Sequence, residues 1–191
     1  IGLPSEIIIF YGILAIASVI AAITYTVGKR AYGYHALGDL MVFIFFGLVS
    51  VLGVYSLYTK SLDWLNLLPA ITIGLLSTAV LNLNNMRDFQ SDLKAGKNTF
   101  VVKIGPNLAK MYHAVIILFG LVSYLYFLTF FQNQLVFLSV LPGVALIIHT
   151  LKVMRTQQAK DFDPELKKVA LSTFAMSLIL LIVSLIEIST K

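Results

Sequence analysis

Six stretches of this chain are apolar for about the length that a helix needs to cross a bilayer: Glu6 to Val27, Leu40 to Tyr58, Leu67 to Asn84, Ala109 to Phe131, Leu135 to Met154 and Val169 to Ile188. A hydrocarbon core about 30 Å thick takes roughly 20 predominantly apolar residues per span. The pattern predicts an all-α fold, a polytopic transmembrane helical bundle of about six helices. Charged residues make up only 12% of the chain, against about a quarter in an ordinary soluble domain. Mean hydropathy is +0.91. The partner that such a composition demands is the lipid bilayer. The first apolar run lacks a basic leader and is long enough to span, so it reads as a transmembrane helix and not as a cleavable signal peptide. With no cysteine in the chain, disulfides and cysteine-ligated zinc or iron–sulfur centres are excluded. The chain starts at Ile1 and enters a helix almost at once. We expect a single transmembrane domain over 1–191, a fragment whose N-terminal part is missing.

The basic residues fall into alternate connections. Lys29 and Arg30 follow the first span, Arg87, Lys94, Lys97, Lys103 and Lys110 the third, and Lys152, Arg155, Lys160, Lys167 and Lys168 the fifth; only Lys60 and Lys191 lie opposite. By the positive-inside rule these three basic loops are cytoplasmic and both termini lie outside. The net charge of +5 is therefore a topology signal, and no nucleic-acid partner follows from it. Tyr55, Tyr58 and Trp64 fall where the second span leaves the membrane and read as interfacial anchors. The polar run Gln157 to Glu165 reads as a solvated loop, with Asp163-Pro164 opening the last helix.

Chemistry concentrates in the inner segment NNMRDFQSDLKAGKNTFVVKIG, Asn84 to Gly105. If the helix before it continues, Asn84, Asp88 and Asp92 recur every fourth residue and share one face. Two carboxylates make a poor cage for Mg²⁺, which keeps several waters and commonly takes one or two carboxylates plus substrate phosphates. Asp88 and Asp92 thus point to a metal bridging protein and diphosphate. Arg87, Lys94 and Lys97 bring the complementary positive charge, Arg as a planar fork and Lys as a compact point charge. Gly96 lets the backbone turn after the acidic helix end, and Asn98 and Thr99 are further donors. An isolated Asp-x-x-x-Asp at a helix end is more often a solvated turn. The Asn-Asn, Arg and Gly-Lys-x-Thr around this one favour a site. Asn82, Asn84 and Asn85 are costly at the end of an apolar helix without partners or a wet cavity, which implies a polar pocket.

A second inner loop, Gly28 to Leu40, brings Lys29, Arg30, Tyr32, Tyr34, His35 and Asp39 to the same membrane face. Lys29, Tyr32 and Tyr34 are its candidates for lining a substrate, weighed evenly against a packed turn with tyrosines at the headgroup level. His113 and His149 lie on apolar helices with no second ligand at metal spacing, and are expected as hydrogen-bonded core or interface histidines.

The segment from Asn84 to Gly105 resembles the second aspartate-rich motif of the UbiA superfamily of intramembrane prenyltransferases. Its Asn-Asn-x-Arg-Asp-x-x-x-Asp-x-x-x-Gly-Lys-x-Thr form is most similar to the menaquinone branch, the 1,4-dihydroxy-2-naphthoate polyprenyltransferases, and the loop from Gly28 to Gly47 resembles that branch too. The resemblance implies a nine-helix ring of which this chain holds helices four to nine, lacking the three N-terminal helices and the first aspartate-rich motif. By the resemblance Asp88 and Asp92 match Mg²⁺ ligands, with Asn84, Arg87 and Lys97 around the diphosphate, and Asp88, Asp92 and Arg87 form the catalytic set. The implied partners are polyprenyl diphosphate and 1,4-dihydroxy-2-naphthoate. The implied reaction is prenyl transfer with loss of CO₂, giving demethylmenaquinone, in a bacterial inner (cytoplasmic) membrane protein. Half of the metal clamp is present, so the isolated chain is expected to be inactive by itself. The alternatives are another UbiA-type aromatic prenyltransferase and a non-enzymatic transporter fragment. Transport sites lie near the bilayer midplane, whereas Asp88 and Asp92 follow an almost complete span.

Overall fold

The computed structural model describes residues 5–27, 33 and 35–189. Six of its helical stretches are long and apolar enough to cross a membrane, as the hydropathy pattern predicts, and among the described residues there is no strand. Helix α1 (Ser5–Thr26) is followed by α2 (Gly38–Val42), a π-helical segment (Phe43–Val49) and α3 (Ser50–Thr59), the last three forming one continuous span. Then come α4 (Leu67–Arg87), the short α5 (Phe89–Lys94) and α6 (Phe100–Ile104), α7 (Pro106–Leu128), α8 (Leu141–Arg155) and α9 (Asp163–Ser189). This is an integral membrane protein.

Helix α4 is the hub, packed against the π-helical segment, α7 and α9. Lipid tails are as apolar as leucine, so close packing and interhelical hydrogen bonds hold such helices together. Thr72 Oγ1 donates to the Gly120 carbonyl (3.2 Å) and Ser123 Oγ to the Leu68 carbonyl (2.9 Å), tying α4 to α7. On its other flank the π-helical segment meets α4 at Gly47. A Cβ there would lie 2.6 Å from the Ala70 carbonyl oxygen and from Gly74 Cα, so only glycine permits the approach. Helix α1 touches α3 through the Tyr11 hydroxyl, which donates to the Gly53 carbonyl at 2.8 Å. Much of its remaining surface is exposed apolar side chains such as Ile9, Phe10 and Ile16.

One sequence expectation is corrected here. Asp163 opens α9 as expected, but the run from Gln157 to Glu165 is not all solvated loop, because Ala159–Phe162 forms a 3-10 turn with Phe162 buried and Glu165 is fully buried. The charged first turn of that helix hides its periodicity, and the burial is made possible by partners from α8 that no local pattern reveals.

Candidate active site

Helix α4 ends at Arg87, Asp88 leaves helical geometry (φ −89°, ψ 4°), and α5 resumes at Phe89. The backbone ladder nevertheless runs through the break: Asp88 N–H donates to the Asn84 carbonyl and Asp92 N–H to the Asp88 carbonyl, each at 2.9 Å. Asn84, Asp88 and Asp92 are therefore stacked one turn apart, as the spacing predicts. Helix α5 then closes in a Schellman motif. Gly96 sits at φ +69°, its N–H donates to the Leu93 carbonyl (3.2 Å), and the Lys97 N–H donates to the Asp92 carbonyl (2.9 Å). This is the six-to-one and five-to-two pattern that a left-handed glycine allows. The turn folds Lys97 back over the carboxylate it follows, placing Nζ 3.1 Å from Asp92 Oδ1. The Asp-x-x-x-Gly-Lys spacing is thus a geometric device that pairs acid and base across a helix end.

Arg87 is held from three sides. Its Nε donates to Asp88 Oδ1 (2.8 Å) and its Nη2 to Asp88 Oδ2 (2.9 Å), a bidentate fork; Nη2 also donates to Asn84 Oδ1 (2.6 Å) and Nη1 to Asp163 Oδ1 (2.9 Å). These hydrogen bonds hold the Asp88 carboxyl below the usual carboxylate range; burial works against them, and the charges of Arg87 and Lys97 reinforce them. Asp92 is buried while Asp88 and Arg87 are half-buried, so the pair sits at a rim. Asp163 is a partner of Arg87 that the sequence did not disclose: it lies 76 positions from Arg87, and only the fold brings α9 there. Thr99 has a structural task that leaves its hydroxyl proton available to donate. Its Oγ1 accepts from the Val102 N–H (3.3 Å) and caps α6. Lys29, Tyr32 and Tyr34, the candidate substrate loop, lie outside the described residues.

Asn84 also lines an apolar groove of about 550 Å³ between α2, α4 and α9, with Val42, Phe46, Val80 and Leu81 among its walls. A second cavity of about 350 Å³ shares Leu76, Thr173 and Ser177 with it and continues to Pro69 and Ser184. From Pro69 to Asn84 along α4 the groove runs about 22 Å at 1.5 Å per residue. A greasy trough therefore ends at the polar residue that bonds Arg87.

The UbiA prenyltransferase family matches residues 9–179. The chain belongs to that family. Among curated relatives of this UbiA chain, a 1,4-dihydroxy-2-naphthoate octaprenyltransferase of Haemophilus influenzae is 40% identical over 176 residues, covering 92% of the chain and 57% of the relative. The protein of the same name from Escherichia coli is 43% identical over 162 residues, 83% of the chain and 53% of the relative. One from Mycobacterium tuberculosis is 39% identical over 101 residues, 52% of the chain and 35% of the relative. The chain spans about half the length of the first two relatives. No solved structure matches it.

A metal fits these residues in one specific way. Among the described residues no group of three or more His, Cys, Asp or Glu side chains is placed to hold an ion. Two carboxylates on successive turns leave most of an octahedral shell to water and to a phosphate-bearing partner, which is how Mg²⁺ is commonly bound.

Two buried histidines bear out the expectation of core hydrogen bonding. His113 Nε2 and His149 Nε2 lie 2.8 Å apart, and His149 Nδ1 lies 2.7 Å from Glu165 Oε2. With His149 Nδ1–H donating to the carboxylate, its Nε2 accepts from His113 in the neutral form. Glu165 Oε1 takes Lys152 Nζ and Lys168 Nζ, both at 2.8 Å. This cluster stitches α7, α8 and α9 together at the end of the bundle that carries Asp88.

Proposed function

We propose that the protein transfers a polyprenyl group from polyprenyl diphosphate to 1,4-dihydroxy-2-naphthoate, with Mg²⁺ as cofactor, on the cytoplasmic side of the inner membrane. The observation that carries this reading is that Asn84 belongs both to the apolar groove and to the Arg87–Asp88 cluster. A long tail in the trough would bring its diphosphate to Arg87, Asp88, Asp92 and Lys97. The names of the Haemophilus influenzae and Escherichia coli relatives support the naphthoate and the octaprenyl class.

The chain's residues would work by exchange of partners. Arg87 releases Asp163 and Asp88 to fork onto phosphate oxygens, and Lys97 swings from Asp92 to the same group; both are charge-assisted contacts. Asn84 holds the guanidinium in orientation while this happens. Asp88 and Asp92 are the residues that would hold the metal, whose contribution is stabilisation of the charge developing on the leaving diphosphate. The groove excludes water from the allylic carbon. The carbon–oxygen bond to diphosphate breaks, a carbon–carbon bond to the naphthalene ring forms, and the ring's carboxyl group leaves as CO₂. The product is the demethylmenaquinone skeleton at the quinol level.

The test is Asp88→Asn and Asp92→Asn, each in the native gene, assayed for prenyl transfer in membranes. Removal of preorganised charge stabilisation typically costs about 10²- to 10³-fold per group, and losses of at least that size are expected. A rate unchanged in either variant defeats the metal-ligand role.

A further inference from the structure

Asp39 opens the span made by α2, the π-helical segment and α3, yet only 7% of it is exposed, and among the described residues no hydrogen-bond partner reaches its Oδ2. It lines a cavity of about 290 Å³ together with Phe43, Leu75, Thr78, Phe100 and Tyr112. Tyr112 is half-buried and turns its hydroxyl to the Asp39 carboxyl, and its ring meets Phe100 edge-to-face at 4.9 Å. Thr78 Oγ1 donates to the Gly74 carbonyl at 2.8 Å, so its proton is committed. Ala36, also in the wall, is held at φ +59°, a left-handed conformation that costs a residue with a Cβ roughly 1–2 kcal/mol and is retained mostly where a site needs it. One turn beyond Thr78 on the same face of α4, Asn82 is fully buried, with neither side-chain polar atom partnered among the described residues. Buried polar groups without partners cost free energy unless something completes them.

We propose that this cavity is a second binding site, distinct from the prenyl groove, for an uncharged aromatic molecule that donates a hydroxyl to Asp39. The walls supply the reasons. Phe43, Phe100 and Tyr112 suit a flat ring; the free carboxylate oxygen requires a donor; and the buried Asp39 carboxylate, with no cation among the described wall residues, repels an anionic aromatic. The volume is at the lower edge of small-molecule pockets, roughly 300–1,000 Å³, which fits a two-ring compound. The groove uses the α4 face carrying Leu76, Val80 and Asn84, whereas the cavity uses the nearly opposite face carrying Leu75 and Thr78. Its occupant is therefore out of line for prenyl transfer and does not depend on that reading.

The experiment is equilibrium binding to the purified protein in detergent, with 1-naphthol, 1-methoxynaphthalene and 1-hydroxy-2-naphthoate as probes. A hydrogen bond to a charged group predicts that 1-naphthol binds about tenfold or more tighter than its methyl ether. The carboxylated probe, an analogue of the proposed acceptor, is the control for the reaction site: its binding should be unchanged by Asp39→Leu and by Leu75→Trp. Asp39→Leu should remove the preference for the hydroxyl, and Leu75→Trp should fill the cavity and weaken naphthol binding without changing binding of polyprenyl diphosphate. Equal wild-type affinity for naphthol and its ether overturns the proposal, a result that needs no variant. So does a preference that survives Asp39→Leu, or a loss of carboxylated-probe binding in Asp39→Leu as large as that of 1-naphthol. A prenylated naphthoquinol competing with 1-naphthol would identify the source as the reaction's product class; competition by the unprenylated hydroquinone alone would identify the free aromatic.

Discussion

Two carboxylate clusters lie at the same end of the bundle, and they are built for different tasks. At Asp88 and Asp92 the partners are Arg87 and Lys97, whose side chains are 30% and 38% exposed. Either cation has water nearby and a flexible stem, so it can leave its carboxylate for another anion. At Glu165 the carboxylate is fully buried and takes His149, Lys152 and Lys168 at once, with His149 and His113 fully buried behind it. Lys152 and Lys168 are themselves exposed, but an anion that drew them off would leave the fully buried Glu165 carboxylate short of partners, whereas Asp88 is 35% exposed and can turn to water. Charge pairing alone therefore does not mark a binding site. What distinguishes the rim cluster is that Asp88 is partly open to water and that the cluster stands at the end of an apolar trough.

The largest structural effect should come from breaking the buried cluster. Glu165→Ala leaves buried polar partners without their acceptor, and removing one member of a buried pair typically costs about 3–5 kcal/mol. Thermal unfolding in detergent should show that loss, with Glu165→Gln milder. Asp88→Ala, measured in the same way, should stay within about 1 kcal/mol of wild type; equal destabilisation by both changes would erase the distinction. Gly96→Ala comes next. A Cβ at φ +69° costs about 1–2 kcal/mol and loosens the turn that carries Lys97, so the Michaelis constant for the prenyl diphosphate should rise more than overall stability falls. The smallest effect is expected from Asp163→Asn, since an exposed ion pair is worth under about 1 kcal/mol. It frees one edge of Arg87, and affinity for the diphosphate should stay level or improve slightly. A large loss of affinity would instead make Asp163 part of the binding site.

Much of the rim was legible because its logic is local. Asn84, Asp88 and Asp92 repeat every fourth residue, and Gly96 followed by Lys97 writes its turn within one helix end. The buried cluster was illegible for the opposite reason. His113, His149 and Glu165 sit on three helices, and each alone has the surroundings of an ordinary core or loop residue. Asp39 shows the same limit, since in sequence it is one polar residue among several in a loop, and only its neighbours Tyr112 and Phe100 make it a cavity wall.

The sequence by itself determined the spans, the all-helical class and the acid–base register at the end of α4, because hydropathy, the four-residue repeat and glycine's conformational range act over one or two turns. Tertiary structure decided which of the charged groups meet across helices: Asp163 on Arg87, Glu165 under His149, Asp39 beside Tyr112. In a bilayer the apolar faces of helices are nearly interchangeable, so those pairings rest on close packing and polar contacts between helices distant in the chain.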